Sequence, residues 1–227
     1  MASKMTSGTE SGALKLTTPG YQHHGLEALF GMARAHPLDP DCDSFYFIRH
    51  GETDGNHQRI FQHAEIPLNA RGLAQAEAAA VALASARLQR IIASTMDRAW
   101  TTAGVIAKPH GLTPIPEDGL RERWFGDLVG TSSADHDWRD SPPNGETLET
   151  FVTRTQAGIR RSLVGAGTFT TALVGHGGIL YVLAPSFGIE IDTPMLANAT
   201  PLRFDRTGTT WRVTRLADTG GRGDNVS

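Results

Sequence analysis

Two short stretches of this chain share one design, and together they constrain its fold more than any other feature. Residues 45–49 read Phe-Tyr-Phe-Ile-Arg, with His50 and Gly51 directly after them. Residues 172–174 read Ala-Leu-Val and run into Gly175, His176, Gly177 and Gly178. Short continuous apolar runs bounded by turn residues read as strands buried on both faces, as in a parallel sheet covered by helices. In such sheets ligands bind beyond the carboxyl ends of the strands, so residues that terminate different strands converge there. The chain is therefore expected to bring His50 and His176 into one crevice.

The signals between these two runs alternate as that architecture requires. Asn69 caps an alanine-rich stretch, residues 70–84, that predicts a helix. Residues 90–94 form a short apolar strand, and a helix over 97–107 is brought to an end by Pro109. Residues 113–116 read as a brief edge strand, because Pro114 and Pro116 exclude them from the sheet centre. Residues 118–144 have little periodicity but hold Trp124, Phe125 and Trp138, and a long irregular segment with aromatics is expected to cover or line a site. Helices over 146–163 and 178–187 flank the strand that leads to His176. Residues 201–205 and 210–215, joined through Thr207-Gly208, read as a terminal hairpin. The expectation is an α/β fold, a three-layer αβα sandwich on a mostly parallel central sheet.

At 227 residues the chain suits one domain with a single sizeable core. That domain is expected over residues 43–216, after a mobile leader (1–42) and before a flexible tail (217–227). Residues 26–30 stand out in the leader as a helical turn or two. The preceding His23-His24 and the Leu-Glu-Ala-Leu-Phe run echo a purification leader, which makes Met32 the expected natural start. A net charge of −3 supplies no basic surplus for a nucleic-acid backbone. Cys42 is the only cysteine, which removes disulfide frameworks and cysteine-cluster zinc sites. No apolar run reaches the roughly 18 residues of a membrane span. The expectation is no nucleic acid partner, no membrane and a cytoplasmic location; the oligomeric state is not legible.

The chemistry begins with Arg49-His50-Gly51. An arginine offers a fixed fork of donors suited to phosphate, and the adjacent histidine is a nitrogen nucleophile. Here the chain resembles the histidine phosphatase superfamily, the phosphoglycerate-mutase-like family. The resemblance rests on Arg49-His50-Gly51-Glu52-Thr53, then Asn56, Arg59 and residues 68–76 (Leu-Asn-Ala-Arg-Gly-Leu-Ala-Gln-Ala). It continues through Ser94 with Arg98-Ala99 and Thr102-Ala103, Leu120-Arg121-Glu122, Gly145-Glu146-Thr147, His176-Gly177-Gly178 and Asn198-Ala199, and so covers residues 45–204.

The resemblance implies that His50 is the nucleophile, forming a phosphohistidine that water hydrolyses, and that Arg49, Arg98 and His176 grip the phosphoryl oxygens. It implies that Glu122 is the general acid and base, protonated as the alkoxide leaves and ionised when water is activated. Asn56, Arg59 and Gly177 join the phosphate site, and Trp124 and Phe125 the substrate pocket. No cofactor or metal is expected: His50, Glu52, Asp54, His57 and His63 lack a recognisable ligand spacing. The favoured activity is that of a metal-independent phosphomonoesterase whose partner is a small phosphorylated substrate. A cofactor-dependent phosphoglycerate mutase stays open, disfavoured because residues 122–145 are short, carry only Arg123 and Arg139 as cations, and place Trp124 and Phe125 where the mutase pattern has a histidine and a tyrosine. A module that only binds a phosphorylated ligand or a protein also stays open, although binding alone would not call for Glu122.

Overall fold

The structure, a computed structural model, describes residues 24–216. The strands are β1 (Ser44–Arg49), β2 (Arg90–Ala93), β3 (Ile115–Pro116), β4 (Thr171–Gly175), β5 (Pro201–Thr207) and β6 (Thr210–Arg215). They form one sheet in the order β3-β2-β4-β1-β5-β6. Strands β3, β2, β4 and β1 run parallel, and the hairpin of β5 and β6 adds antiparallel to β1. The helices are α1 (Leu26–Ala35), α2 (Asp54–Gln58), α3 (Ala70–Leu83), α4 (Asp97–Ala107), α5 (Leu148–Leu163) and α6 (Gly177–Ser186).

Strand alternation builds two cores. Phe45 and Phe47 face one side, where they join the buried residues of α1, α5 and α6; Tyr46 and Ile48 face the other, with the alanines of α3 and α4. This is the three-layer sandwich that the alternating pattern implies. The helix starts follow their caps. Asn69 accepts from the amide of Gly72 at the head of α3, and Thr147 accepts from that of Thr150 at the head of α5. The Thr147 cap explains why α5 begins at Leu148 and not at residue 146.

Two differences from the sequence reading have physical causes. First, residues 24–42 are not a mobile leader. Leu26, Leu29, Phe30 and Ala33 recur at helical spacing on α1 and are buried in the core against α6 and α5. Gln156 of α5 donates to the carbonyls of Ala33 and His36, satisfying the C-terminal end of α1, and Arg206 of β5 donates to those of Pro40 and Cys42. The domain therefore extends below residue 43, and a start at Met32 would remove Leu26, Leu29 and Phe30 from its core. Residues 1–23 of the expected leader and 217–227 of the expected tail lie outside the described residues. Second, α2 is an unanticipated five-residue helix, made by a capping box in which Thr53 accepts from the amide of Asn56 while the Asn56 side chain accepts from the amide of Thr53.

Among the described residues, no helix is long and apolar enough to cross a membrane.

Candidate active site

Register, not proximity in sequence, assembles the site. Strands β1 and β4 are hydrogen-bonded neighbours with Arg49 opposite Gly175, so the residues that follow, His50 and His176, emerge side by side. Their ring centroids lie 5.0 Å apart. Strand β2 flanks β4 on the other side with Ala93 opposite Val174, which brings Ser94 to the same end of the sheet. Its hydroxyl lies 2.8 Å from His176 Nε2. Arg98 enters from the first turn of α4, where exposed amides and the helix dipole also favour an anion.

His50 Nδ1 lies 2.7 Å from the carbonyl oxygen of Gly51. A carbonyl can only accept, so Nδ1 carries the proton and Nε2 is left with its lone pair. Burial holds His50 well below its ordinary value of 6.5, and the guanidiniums of Arg98 and Arg49 push the same way. At neutral pH the ring is therefore neutral, with the Nε2 lone pair available. His176 is held down first by burial and then by Arg98, His50 and Arg49. Burial also lowers Arg98 to about 10, partly offset by Glu122, which leaves it cationic at neutral pH.

Three buried nitrogens around His50 have no hydrogen-bond partner: Arg49 Nε, Arg98 Nε and His176 Nδ1. Buried polar groups are rarely left so, and each uncompensated donor costs about 1–3 kcal/mol. A terminal nitrogen of each arginine is used to fix it. Arg49 donates to the carbonyl of Leu196 (2.6 Å) and Arg98 to that of His63 (2.9 Å). Glu122 sits at the N-terminus of α6, accepting from the amides of Gly178 and Arg123, both at 3.0 Å.

A cavity of about 640 Å³ opens onto this group. Its lining includes Arg49, His50, Asn56, Arg59, Arg98, Glu122, Phe125 and Gly177, so eight of the residues singled out in the sequence share one wall. His176 does not: it is 0 % exposed and lies behind His50. Trp124 also stands apart from the lining. It is 40 % exposed, its indole donates to the carbonyl of Asn144, and its amide donates to Glu146. The bonds of Arg123 and of the Trp124 amide to Glu146 fix this irregular segment, with Phe125 turned inward and Trp124 left outside.

Sequence reasoning missed several residues of the site. Asn198 donates to the carbonyl of His50 (2.9 Å), and Thr102 accepts from the amide of Gly51 (3.0 Å). Both appear in the motif order, but their work is on the backbone, which side-chain chemistry does not reveal. Phe61, Tyr181 and Leu196 complete the wall from three separate segments, beside Trp138 of the irregular segment already expected to line a site. The loop that carries Glu122 is held by Arg123, only 2 % exposed, whose guanidinium donates to the carbonyls of Trp138, Asp140 and Glu146. Arg154 of α5 adds an ion pair to Glu146 at 2.7 Å.

The fold and the chain's motifs have counterparts in known proteins. A family model described as the histidine phosphatase superfamily (branch 1) matches residues 45–219. An agropine synthesis reductase of Rhizobium rhizogenes is 33% identical over 180 residues, which are 74% of this chain and 41% of that protein. The chain thus spans less than half the length of that relative. The uncharacterized phosphatase PhoE of Bacillus subtilis is 29% identical over 173 residues, 73% of this chain and 90% of the relative. Among solved structures, an alpha-ribazole phosphatase from Shigella flexneri matches with a TM-score of 0.65 and 25% identity, covering 76% of this chain and 95% of that one.

Proposed function

Because the chain belongs to the histidine phosphatase superfamily, we propose that it is a phosphomonoester hydrolase that works through a phosphohistidine on His50. The observation that carries this reading is the pair of unpartnered buried nitrogens on Arg49 and Arg98, two arginines that line the cavity beside His50. The oxygens of a phosphoryl group beside His50 would satisfy them. Phosphoryl transfer passes through a loose transition state with charge spread over the equatorial oxygens, so fixed donors around those oxygens supply most of the catalysis.

In the first step His50 Nε2 forms a bond to phosphorus as the bond from phosphorus to the ester oxygen breaks. Glu122 in its protonated form gives its proton to the departing alkoxide, which leaves as a neutral alcohol. In the second step water attacks phosphorus, Glu122 takes the proton from the water, and the phosphorus–nitrogen bond breaks. Inorganic phosphate leaves, and His50 and Glu122 regain their starting states. The Gly51 carbonyl keeps the proton on Nδ1 in the resting enzyme and stabilises the ring as positive charge develops on phosphorylation. Asn56 and Arg59, at the turn that closes the cavity, add contacts to the phosphoryl group. No step calls for a metal ion.

The test is phosphate release from p-nitrophenyl phosphate and 3-phosphoglycerate in excess chelator, with His50→Ala as the comparison. Release that survives the chelator and disappears in the variant is the expected result. Release abolished by the chelator, or retained by His50→Ala, would overturn the mechanism. Interconversion of phosphoglycerates without phosphate release would turn the assignment to a mutase.

A further inference from the structure

The cavity is several times larger than a phosphoryl group needs, and beside polar Gln62, Ser133 and Thr193 its lining carries an apolar, mostly aromatic wall. Ile60, Phe61, Phe125, Trp138, Tyr181 and Leu196 contribute it. Phe61 and Phe125 stack with centroids 4.0 Å apart, Trp138 meets Phe125 edge-on at 6.0 Å, and Tyr181 stands at 89° to Trp138. The one cation embedded in this wall, Arg123, has its donors committed to backbone carbonyls, and its guanidinium lies 5.6 Å from the centroid of the Phe125 ring and 5.8 Å from that of Trp138. It braces the rings and does not offer a fork to a ligand. The remaining charged side chains of the lining, Glu52, His57 and Arg59, come from the turn after β1 and include both signs. No cluster of cations is left over for a carboxylate or a second phosphate.

Trp138 is the ring in this wall with the most unusual support. Its carbonyl accepts from Arg123 (2.7 Å), and its amide donates to the carbonyl of His24 (2.9 Å). His24 and Gly25 lie ahead of α1, outside the stretch matched by the family model. Gly25 has φ +76°, and a Cβ there would lie 2.2 Å from Asp137 Oδ1 and 3.0 Å from the backbone nitrogen of Arg139. Only glycine fits this crossing without moving the turn that carries Trp138. The buried stripe of α1 anchors the clamp in the core.

We propose that this wall is the leaving-group subsite, that it takes phosphomonoesters whose alcohol carries a flat apolar ring in preference to polyol or carboxylate-bearing alcohols, and that Trp138, held by residues 24–25, sets the preference. The proposal rests on the hydrolase reading above. A ring laid against the aromatic wall withdraws apolar surface from water, a gain that a polyol cannot match. Trp138 is a specificity residue, and Gly25 a positioning residue that acts through it.

The decisive comparison is kcat/KM for benzyl phosphate against glycerol 1-phosphate with the full chain. Both release a primary alkoxide, so the ratio isolates recognition of the alcohol. The expected ratio is at least about tenfold in favour of benzyl phosphate, the effect of withdrawing several tens of Å² of apolar surface from water. Trp138→Ala should shrink that ratio at least about fivefold. Gly25→Ala should shrink it in the same direction, chiefly by raising KM for the benzyl ester. A wild-type ratio at or below one, or a ratio unmoved by Trp138→Ala, would overturn the proposal. If neither ester is hydrolysed, the hydrolase reading fails on its own account, and calorimetric binding of benzylphosphonate and methylphosphonate still decides the subsite. Tighter binding of the benzyl compound supports it, and equal or weaker binding refutes it.

Discussion

At Gly178 a single added methyl group would separate leaving-group protonation from phosphate binding. The amide of Gly178 holds Glu122, and a Cβ at this position would lie 2.0 Å from Glu122 Oε1, where ordinary contact begins at 3.4 Å. In Gly178→Ala the carboxyl must therefore withdraw by more than an ångström, while Arg49, Arg98 and His50, which are fixed by other partners, keep their places. A displacement of that size costs about 10²-fold in rate, the lower end of the about 10²–10⁴-fold that a positioned acid contributes. The loss must depend on the leaving group. The alkoxide from benzyl phosphate needs a proton as it departs, whereas p-nitrophenolate is a stable anion near neutral pH. Because kcat/KM reports only the steps through phosphorylation of His50, it excludes the later activation of water. We expect kcat/KM to fall about hundredfold for benzyl phosphate and less than about tenfold for p-nitrophenyl phosphate, with thermal unfolding as the control on folding. An equal fall for both esters would refute the reasoning, since it would mean a damaged phosphate site. No fall for either would place the acid elsewhere.

Two further predictions concern stability. His50 and His176 are held neutral in the folded protein, so as pH falls below about 6.5 their unfolded rings take up protons first and stability drops with pH. Each ring contributes up to about 2 kcal/mol of loss by pH 5; urea titrations at pH 7 and pH 5 should give a correspondingly smaller loss for His50→Asn, and identical losses would count against a neutral buried ring. Leu29→Ala removes a fully buried side chain from α1 and should cost about 2–5 kcal/mol in the same titrations. A change near zero would mean that α1 does not belong to the core.

The parts of this molecule that were legible in sequence are those with local, periodic causes. The apolar run of β1, the alanines and Asn69 cap of α3, and the proline that follows α4 each announce their element without help from distant residues. The stripe of Leu26, Leu29, Phe30 and Ala33 is as periodic as any of these, yet it sits among glycines and histidines that resemble a tag, and only its packing on α6 reveals its place. Within the site, Arg49, His50 and Arg98 were legible because they stand at a strand end or a helix start, whereas Glu122 was placed only through the resemblance to the family. The inward turn of Phe125 and outward turn of Trp124 were not, since the segment forms no strand and its direction is set by Arg123, Glu146 and Arg154. The cavity wall was least legible of all, because Phe61, Trp138 and Tyr181 meet only through long-range packing.

The bond from Asn198 to the carbonyl of His50 spans 148 residues of chain, and the bond from Arg49 to the carbonyl of Leu196 spans 147. His50 and its neighbour Arg49 are thus locked by the segment just before the hairpin of β5 and β6. Closing a loop of that length costs entropy that is recovered only after the intervening strands have paired. During synthesis His50 emerges early, but the supports from Leu196 and Asn198 follow about 150 residues later. A chain that has formed β1 through β4 has its core but not its finished catalytic centre. In a refolding experiment, recovery of turnover should therefore trail recovery of secondary structure, and activity becomes a reporter of the final docking event in folding.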